Sequence, residues 1–385
     1  MRRSIKLLVI AGEASGDRLA ARALRHALSL AESAGNALDL FGIGGRECEK
    51  AGMNCLYSTD QMSVVGFLEV AKRYRFFKKV LKNIISLLDS KERRPDILFL
   101  IDYPGFNLRL AKEARKRGIR VVFYVSPQVW AWKASRVKDI VASVDDMLVI
   151  FPFEVEIYRS AGLMNTYFVG HPLLEIIEEE RNSFSTRGEF AAKFSLDASK
   201  HWLLAFPGSR KEEVSKHLET MSTAAKEYSC KNNWQAIIVE AISVAPESYQ
   251  SADRSIKYFR SPRDIHELMS HSQLGILKSG TTTLEAALMG LPGVICYKTS
   301  GLTYMIAKRL ITLKFIGLAN IVLGRKLYPE LIQSEFSPER ITESLEFVYG
   351  QKEAFADQLK EIRNILQAPN ESPSQRVAEI LLSHA

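Results

Sequence analysis

Short apolar and β-branched runs alternate along this chain with stretches whose apolar residues recur at helical spacing. In the first part the pattern predicts strands over residues 5–11, 38–43, 96–102, 120–125, 146–151 and 167–169, with helices near 16–33, 64–88, 108–117 and 153–161. Such alternation is the pattern of parallel βαβ units. A charged stretch, 175–187, interrupts it, and strands are predicted again over 202–206, 235–239, 256–258, 273–277 and 294–297. Two doubly wound α/β domains are therefore expected. Pro172, in the turn Gly170-His171-Pro172, bars simple continuation of the last strand of the first half and marks the crossing between domains. The tail from 338 to 384 reads as helices broken at Pro369 and Pro373 that return to the first domain.

Composition narrows this picture. A length of 385 residues suits two domains, and 46% hydrophobic with 25% charged residues is globular. Fifty-two Lys and Arg against 44 Asp and Glu give a formal charge of +8, which favours a negatively charged partner. Cys48, Cys55, Cys230 and Cys296 fit neither a disulfide framework nor a zinc site, so a reducing compartment is expected. The apolar stretch after Arg2 and Arg3 is too short for a signal sequence, and no apolar run approaches the ~18 residues that span a bilayer. If a membrane matters, the protein lies on it.

Candidate chemistry gathers where predicted strands end. The turn Gly12-Glu13-Ala14-Ser15-Gly16-Asp17 joins a strand to a helix through small residues, so backbone amides can approach a ligand, and Glu13 is placed to bond sugar hydroxyls. A tight corner would have the same residues. Asp102, in Asp102-Tyr103-Pro104-Gly105-Phe106-Asn107, leaves an apolar strand at its carboxyl end. Apolar neighbours there raise a carboxyl pKa, which suits a general base; the competing role for Asp102 and Asn107 is to cap the next helix. Gln128, Trp130, Trp132, Lys133 and Arg136 form a loop that reads either as a sugar platform with cations beside it or as core tryptophans.

The second half carries two loops suited to a diphosphate. Gly208, Ser209 and Arg210 close a strand and open a helix; Ser279, Gly280, Thr281 and Thr282 do the same further on. Glu285 would accept from ribose hydroxyls, or else complete a capping box with Thr282. The sequence contains no DxD, and its seven histidines show no ligand spacing, so charge on a leaving diphosphate falls to Arg210 and the helix termini. His171 and His26 read as structural.

The segment 64–82 combines Val64, Val65, Phe67, Leu68, Phe76, Phe77 and Val80 with Lys72, Arg73, Arg75, Lys78, Lys79 and Lys82. Phe77, Leu81, Ile84 and Leu88 share one helical side, as any packed helix requires; the remaining apolar residues exceed that need. Interfacial binding to an anionic membrane is the expectation, with Val64, Val65, Phe67, Leu68, Phe76 and Phe77 as contacts. A basic-rimmed core helix is the plainer alternative. Bulky aliphatics among the basic residues and the lack of a nucleic-acid module argue against nucleic acid.

Taken in order, Gly12 through Asp17, Gly42-Ile43-Gly44-Gly45, Asp102 through Asn107, Pro127-Gln128-Val129-Trp130-Ala131-Trp132, Gly170-His171-Pro172, Pro207-Gly208-Ser209-Arg210, Ser279 through Glu285, and Tyr304 through Asn320 resemble the lipid-A-disaccharide synthase family along nearly the whole chain. The resemblance implies an inverting GT-B glycosyltransferase of outer-membrane lipid assembly in Gram-negative bacteria, with two Rossmann-like domains facing across a cleft. Residues 1–171, with 351–385 packing back, would form the acceptor and membrane-facing domain, and 172–350 the UDP-sugar domain. The implied reaction moves a 2,3-diacylglucosamine unit from UDP-2,3-diacylglucosamine to 2,3-diacylglucosamine 1-phosphate (lipid X), forming a β(1→6) disaccharide 1-phosphate and UDP without metal or organic cofactor. Asp102 and Glu13 would be catalytic. Ser15, Gly16, Gln128, Trp130, Trp132, Lys133 and Arg136 would meet the acceptor. Gly208, Ser209, Arg210, Ser279, Gly280, Thr281, Thr282, Glu285 and Asn320 would hold the donor. The chain departs from the family in Ala319, where Pro is usual, and in Lys278, where a small residue is usual. A cytoplasmic enzyme peripheral on the inner membrane follows, and exposed helices and the returning tail are compatible with a homodimer. Two other readings keep the same plan: a UDP-sugar epimerase, and a noncatalytic membrane-surface scaffold.

Overall fold

A computed structural model describes residues 4–62, 70–132, 136–249, 256–301, 304–305, 314–368 and 371–383. The chain folds into two compact units, one formed by 1–172 with 368–385 and the other by 173–367.

The first unit holds β1 (Ser4–Ala11), β2 (Ala37–Gly44), β3 (Asn54–Ser58), β4 (Ile97–Ile101), β5 (Arg120–Tyr124), β6 (Asp146–Val149) and β7 (Thr166–Phe168), in the order β3-β2-β1-β4-β5-β6-β7. All pairings are parallel. β4 throughout, and β1 from Leu7 to Ala11, are apolar because both faces of the sheet are covered. Leu8 and Ile10 pack with Val80, Ile84, Leu88, Leu110 and Ala114 on one face. Leu7 and Val9 pack with Ala20, Leu24 and, from the end of the chain, Val377 and Leu381 on the other. The helix Pro373–Leu382 thereby rests on the helix Ala14–Ser33.

The second unit holds β8 (Trp202–Phe206), β9 (Gln235–Val239), β10 (Lys257–Phe259), β11 (Leu274–Lys278), β12 (Gly293–Tyr297) and β13 (Glu330–Ile332), in the order β10-β9-β8-β11-β12-β13, again all parallel. The tail divides between the units. The helix Lys352–Leu366 packs on Thr282–Met289 and Leu318–Leu323 in the second unit, so of the expected return of 351–385 only 368–385 joins the first.

Strand order reverses between β1 and β4 in one sheet and between β8 and β11 in the other. The crevice outside the carboxyl ends of such a strand pair is where open α/β sheets bind ligands. It brings the loops 12–17 and 102–107 together in the first unit, and 207–210 and 279–282 in the second.

The helix predicted from 64 is described from Val70 to Leu88. Val64, Val65, Phe67 and Leu68 lie outside the described residues. Val80, surplus to packing in the sequence pattern, is buried core. Phe76 and Phe77 are half-buried against the same core, and Phe76 meets Tyr57 edge-on at 6.4 Å. Phe76 is thus a packing residue where a membrane contact was expected, and Phe77 packs on the side its spacing predicts. Arg75, Lys78, Lys79 and Lys82 on this helix are exposed. No helix among the described residues is long and apolar enough to cross a membrane.

Candidate active site

β4 delivers Asp102 through five buried apolar residues, and the backbone turns sharply there. Asp102 (φ 45°) and Tyr103 (φ 49°) are successive left-handed residues, and Val125 (φ 66°) at the end of β5 is a third. Each such non-glycine residue costs ~1–2 kcal/mol and persists only where neighbours fix it. Asp102 N donates to Tyr124 O at 2.9 Å. The buried Asn107 amide donates to Asp102 O (2.8 Å) and Ile101 O (3.2 Å). The Tyr103 ring lies over Gly12, where a Cβ would fall 2.5 Å from the ring. Tyr103 is the N-cap of the next helix and no side chain caps it, so the capping role for Asp102 does not hold.

Burial raises the Asp102 carboxyl to a pKa of about 6, the Glu13 charge adds to this, and the Tyr103 backbone amide opposes it. Tyr103 is also raised, by burial and then by Glu13. Glu13 itself is exposed at the start of the helix Ala14–Ser33, as is Ser15. Gly16 was expected to touch the acceptor but is buried. A Cβ there would lie 3.4 Å from Ile101, so its task is close helix–strand packing. Asp17 is also buried, and accepts from the backbone of Gly45 (2.6 Å), Glu47 (3.1 Å) and Cys48 (3.1 Å) to pin the neighbouring loop.

Trp130 is not an open platform. Its Nε1 donates to Glu154 Oε1 at 3.1 Å, and its ring stands edge-on to Phe151 (6.3 Å) and Phe153 (5.4 Å). Glu154, 1% exposed, also accepts from Phe151 N at 3.1 Å. Burial raises it to about 7, against the pull of these donors. His171 packs 5.2 Å from Phe151 and burial depresses it to about 3, so it stays neutral in this aromatic box, consistent with a structural role. Glu154 was not among the sequence candidates; the one available signal was an acid at the end of Phe151-Pro152-Phe153. Gln128 and Arg136 are exposed, while Lys133 and the Trp132 side chain lie outside the described residues.

In the second unit Gly208 adopts φ +140°, and a Cβ there would stand 2.5 Å from that of Glu213. The Glu213 carboxylate accepts from Ser209 N at 3.0 Å and Lys278 Nζ at 2.8 Å, with Arg210 Nη1 3.6 Å away. Burial would raise its pKa, but Lys278 and Ser209 hold it below the usual range. The Arg210 side chain is 82% exposed. Ser279 donates to Ile316 O at 2.7 Å and Thr283 to Gly280 O at 2.8 Å, shaping a turn with Gly280 at φ +150°. Thr281 is exposed and precedes the helix Thr282–Met289; Thr282 and Glu285 are half-buried in its first turn, and the N-cap is Thr281, so the capping box imagined from Thr282 does not form.

Asn320 has a different task from the donor contact expected of it. It is fully buried, its amide donates to Tyr328 O and Glu330 Oε1, each at 2.9 Å, and its Oδ1 accepts from Leu327 N and Tyr328 N, each at 2.9 Å. Both donors and both lone pairs are spent. Glu330 in turn accepts from Gly317 N at 3.0 Å, so Asn320 braces the stretch on which Ser279 leans.

Two parallel α/β units in one chain, each with polar loops at its strand-order reversal, make up the GT-B fold. Among solved structures, the chain is similar to UDP-GlcNAc 2-epimerase from Neisseria meningitidis bound to UDP-GlcNAc (TM-score 0.66, 12% identity, 99% of this chain and 100% of that one). It is likewise similar to a calicheamicin glycosyltransferase (TM-score 0.58, 13% identity, 100% and 98%). At those identities the likeness is of fold alone. The family described as lipid-A-disaccharide synthetase matches residues 7–383. Lipid-A-disaccharide synthase of Trichlorobacter lovleyi is 39% identical over 98% of this chain and 97% of its own, and that of Geobacter sulfurreducens 40% identical over 88% and 86%. The chain belongs to the lipid-A-disaccharide synthase family and is a glycosyltransferase; the distant epimerase neighbours do not favour the isomerase reading.

Proposed function

We propose that the protein transfers a 2,3-diacylglucosamine unit from UDP-2,3-diacylglucosamine to 2,3-diacylglucosamine 1-phosphate, releasing UDP. Asp102 removes the proton of the acceptor's primary hydroxyl as that oxygen bonds to the anomeric carbon, and the anomeric carbon's bond to the UDP oxygen breaks on the opposite side. The product is the β(1→6) disaccharide 1-phosphate. The observation that carries this reading is the Asp102 carboxyl with its pKa near 6, ionised at neutral pH yet more basic than an ordinary carboxylate. Burial keeps it so, Glu13 adds to the effect, and Glu13 also orients sugar hydroxyls.

The first unit takes the acceptor and the second the donor, with Ser209, Arg210 and the turn 279–282 receiving the diphosphate and Glu285 the ribose. Holding both sugars in register supplies much of the acceleration through orientation. The exposed Arg75, Lys78, Lys79 and Lys82 attract the anionic cytoplasmic leaflet of the inner membrane, where acylated substrates reside.

The test is UDP release by the purified protein with both lipids, paired with mass spectrometry of the product. UDP release that requires the lipid acceptor, with a product of the disaccharide 1-phosphate mass, supports the proposal. Acceptor-independent turnover, or epimerisation of UDP-N-acetylglucosamine, refutes it.

A further inference from the structure

Two loops of the second unit, at 209–210 and at 278, bring two donors and a neighbouring guanidinium to one carboxylate. Glu213, in the first turn of the helix Lys211–Asn232, accepts from the Ser209 amide at 3.0 Å and the Lys278 ammonium at 2.8 Å, and the Arg210 guanidinium stands 3.6 Å away. A backbone N–H at a helix start, an ammonium and a guanidinium are the set that a phosphate group takes.

Ser209 and Arg210 already belong to the donor reading; Lys278 does not. It ends β11, beside the reversal of strand order, one residue before the turn at Ser279 and Gly280. Its ammonium lies 3.7 Å from where a Cβ on Gly280 would stand, so it sits over the entrance to the second phosphate loop. The pair is mostly but not fully covered, with the Lys278 side chain 18% exposed and that of Glu213 14%.

Taking the second unit as the UDP-sugar site, we infer that Lys278 is a further diphosphate-binding residue and that Glu213 is an internal anion holding its place until the diphosphate arrives. On binding, the Lys278 ammonium and the Ser209 N–H turn from carboxylate to phosphate oxygens, and no covalent bond changes. The lysine adds a cation beside Arg210 where the leaving group gains charge. Gly208 fits this arrangement, since any side chain there would strike Glu213 and keep its carboxylate from these donors.

Calorimetric titration of the full chain with uridine, UMP and UDP tests it, using wild type, Lys278→Met, Lys278→Arg and Glu213→Gln. Lys278→Met is expected to weaken UDP at least tenfold while leaving uridine within twofold, Lys278→Arg to restore most of the loss, and Glu213→Gln to tighten UDP severalfold. General loosening of the site would weaken all three ligands alike and would overturn the lysine assignment. Wild type binding UDP no better than uridine would overturn the donor reading itself. Wild type preferring UDP, with Lys278→Met keeping that preference, would overturn the lysine assignment alone. Glu213→Gln losing UDP in step with Lys278→Met would show that Glu213 positions the lysine, and would overturn its role as place-holder.

Discussion

The Asn107 amide donates to the carbonyl of Asp102 at 2.8 Å, so the residue that follows β4 is held in its left-handed turn from within the next helix. Asn107→Ala removes this bond and the one to Ile101 O from a fully buried site. A stability loss of ~1–3 kcal/mol is expected from urea denaturation. Turnover should fall at least tenfold, because the turn that aims Asp102 loses its latch.

The pH dependence follows from Asp102 and its neighbour. With its carboxyl at about 6, kcat/KM should decline below that pH as the base is protonated. Glu13 contributes to the upward shift, so Glu13→Gln should move the acid limb to lower pH, read from a kcat/KM profile between pH 4.5 and 8. An unmoved limb would separate the two residues.

The same shift has a signed effect on stability. The folded state keeps the Asp102 proton between about 4 and 6, where the unfolded state has released it, so the group's contribution to stability falls as pH rises through that window. Asp102→Asn should therefore be more stable than wild type at pH 7.5, on the order of 2 kcal/mol, and equal to it near pH 4. Thermal melts at the two pH values check this.

How much of this is legible in the sequence depends on where each residue's partners lie. β4 is legible because it is apolar throughout and β1 because it is apolar from Leu7 on, and Asp102 because it follows one such strand directly. β3 and β13 are not, since Asn54–Ser58 and Glu330–Ile332 mix polar and apolar residues in too short a run to show a pattern. Trp130 reads as a platform in the sequence because its partner Glu154 is 24 residues away and becomes visible only in the fold. Asn320 sits in a conspicuous motif, but its four bonds all go to residues 327–330, a stretch leading into β13 with no periodic signal. The αL turn at Asp102 and Tyr103 has no glycine to announce it.

Glu154 yields a further expectation. Glu154→Ala strands the Trp130 indole N–H and the Phe151 amide in a buried box, and should cost ~2–4 kcal/mol in urea denaturation. Trp130 fluorescence should change with it, and the Michaelis constant for the lipid acceptor should rise more than that for the donor.

On the helix Val70–Leu88, the exposed Lys78, Lys79 and Lys82 offer a membrane test. Replacing all three with Glu should lower sedimentation with anionic vesicles by about 100-fold or more, at ~1 kcal/mol per lost cation, while UDP binding stays unchanged. High salt should reproduce the loss in wild type.

The most direct measurement is the turnover of Asp102→Asn, in protein whose melting curve shows it folded and whose titration shows UDP still bound. With the general base gone, kcat is predicted to fall by ~10²–10⁴. A folded, UDP-binding Asp102→Asn enzyme within tenfold of wild-type turnover would contradict the account.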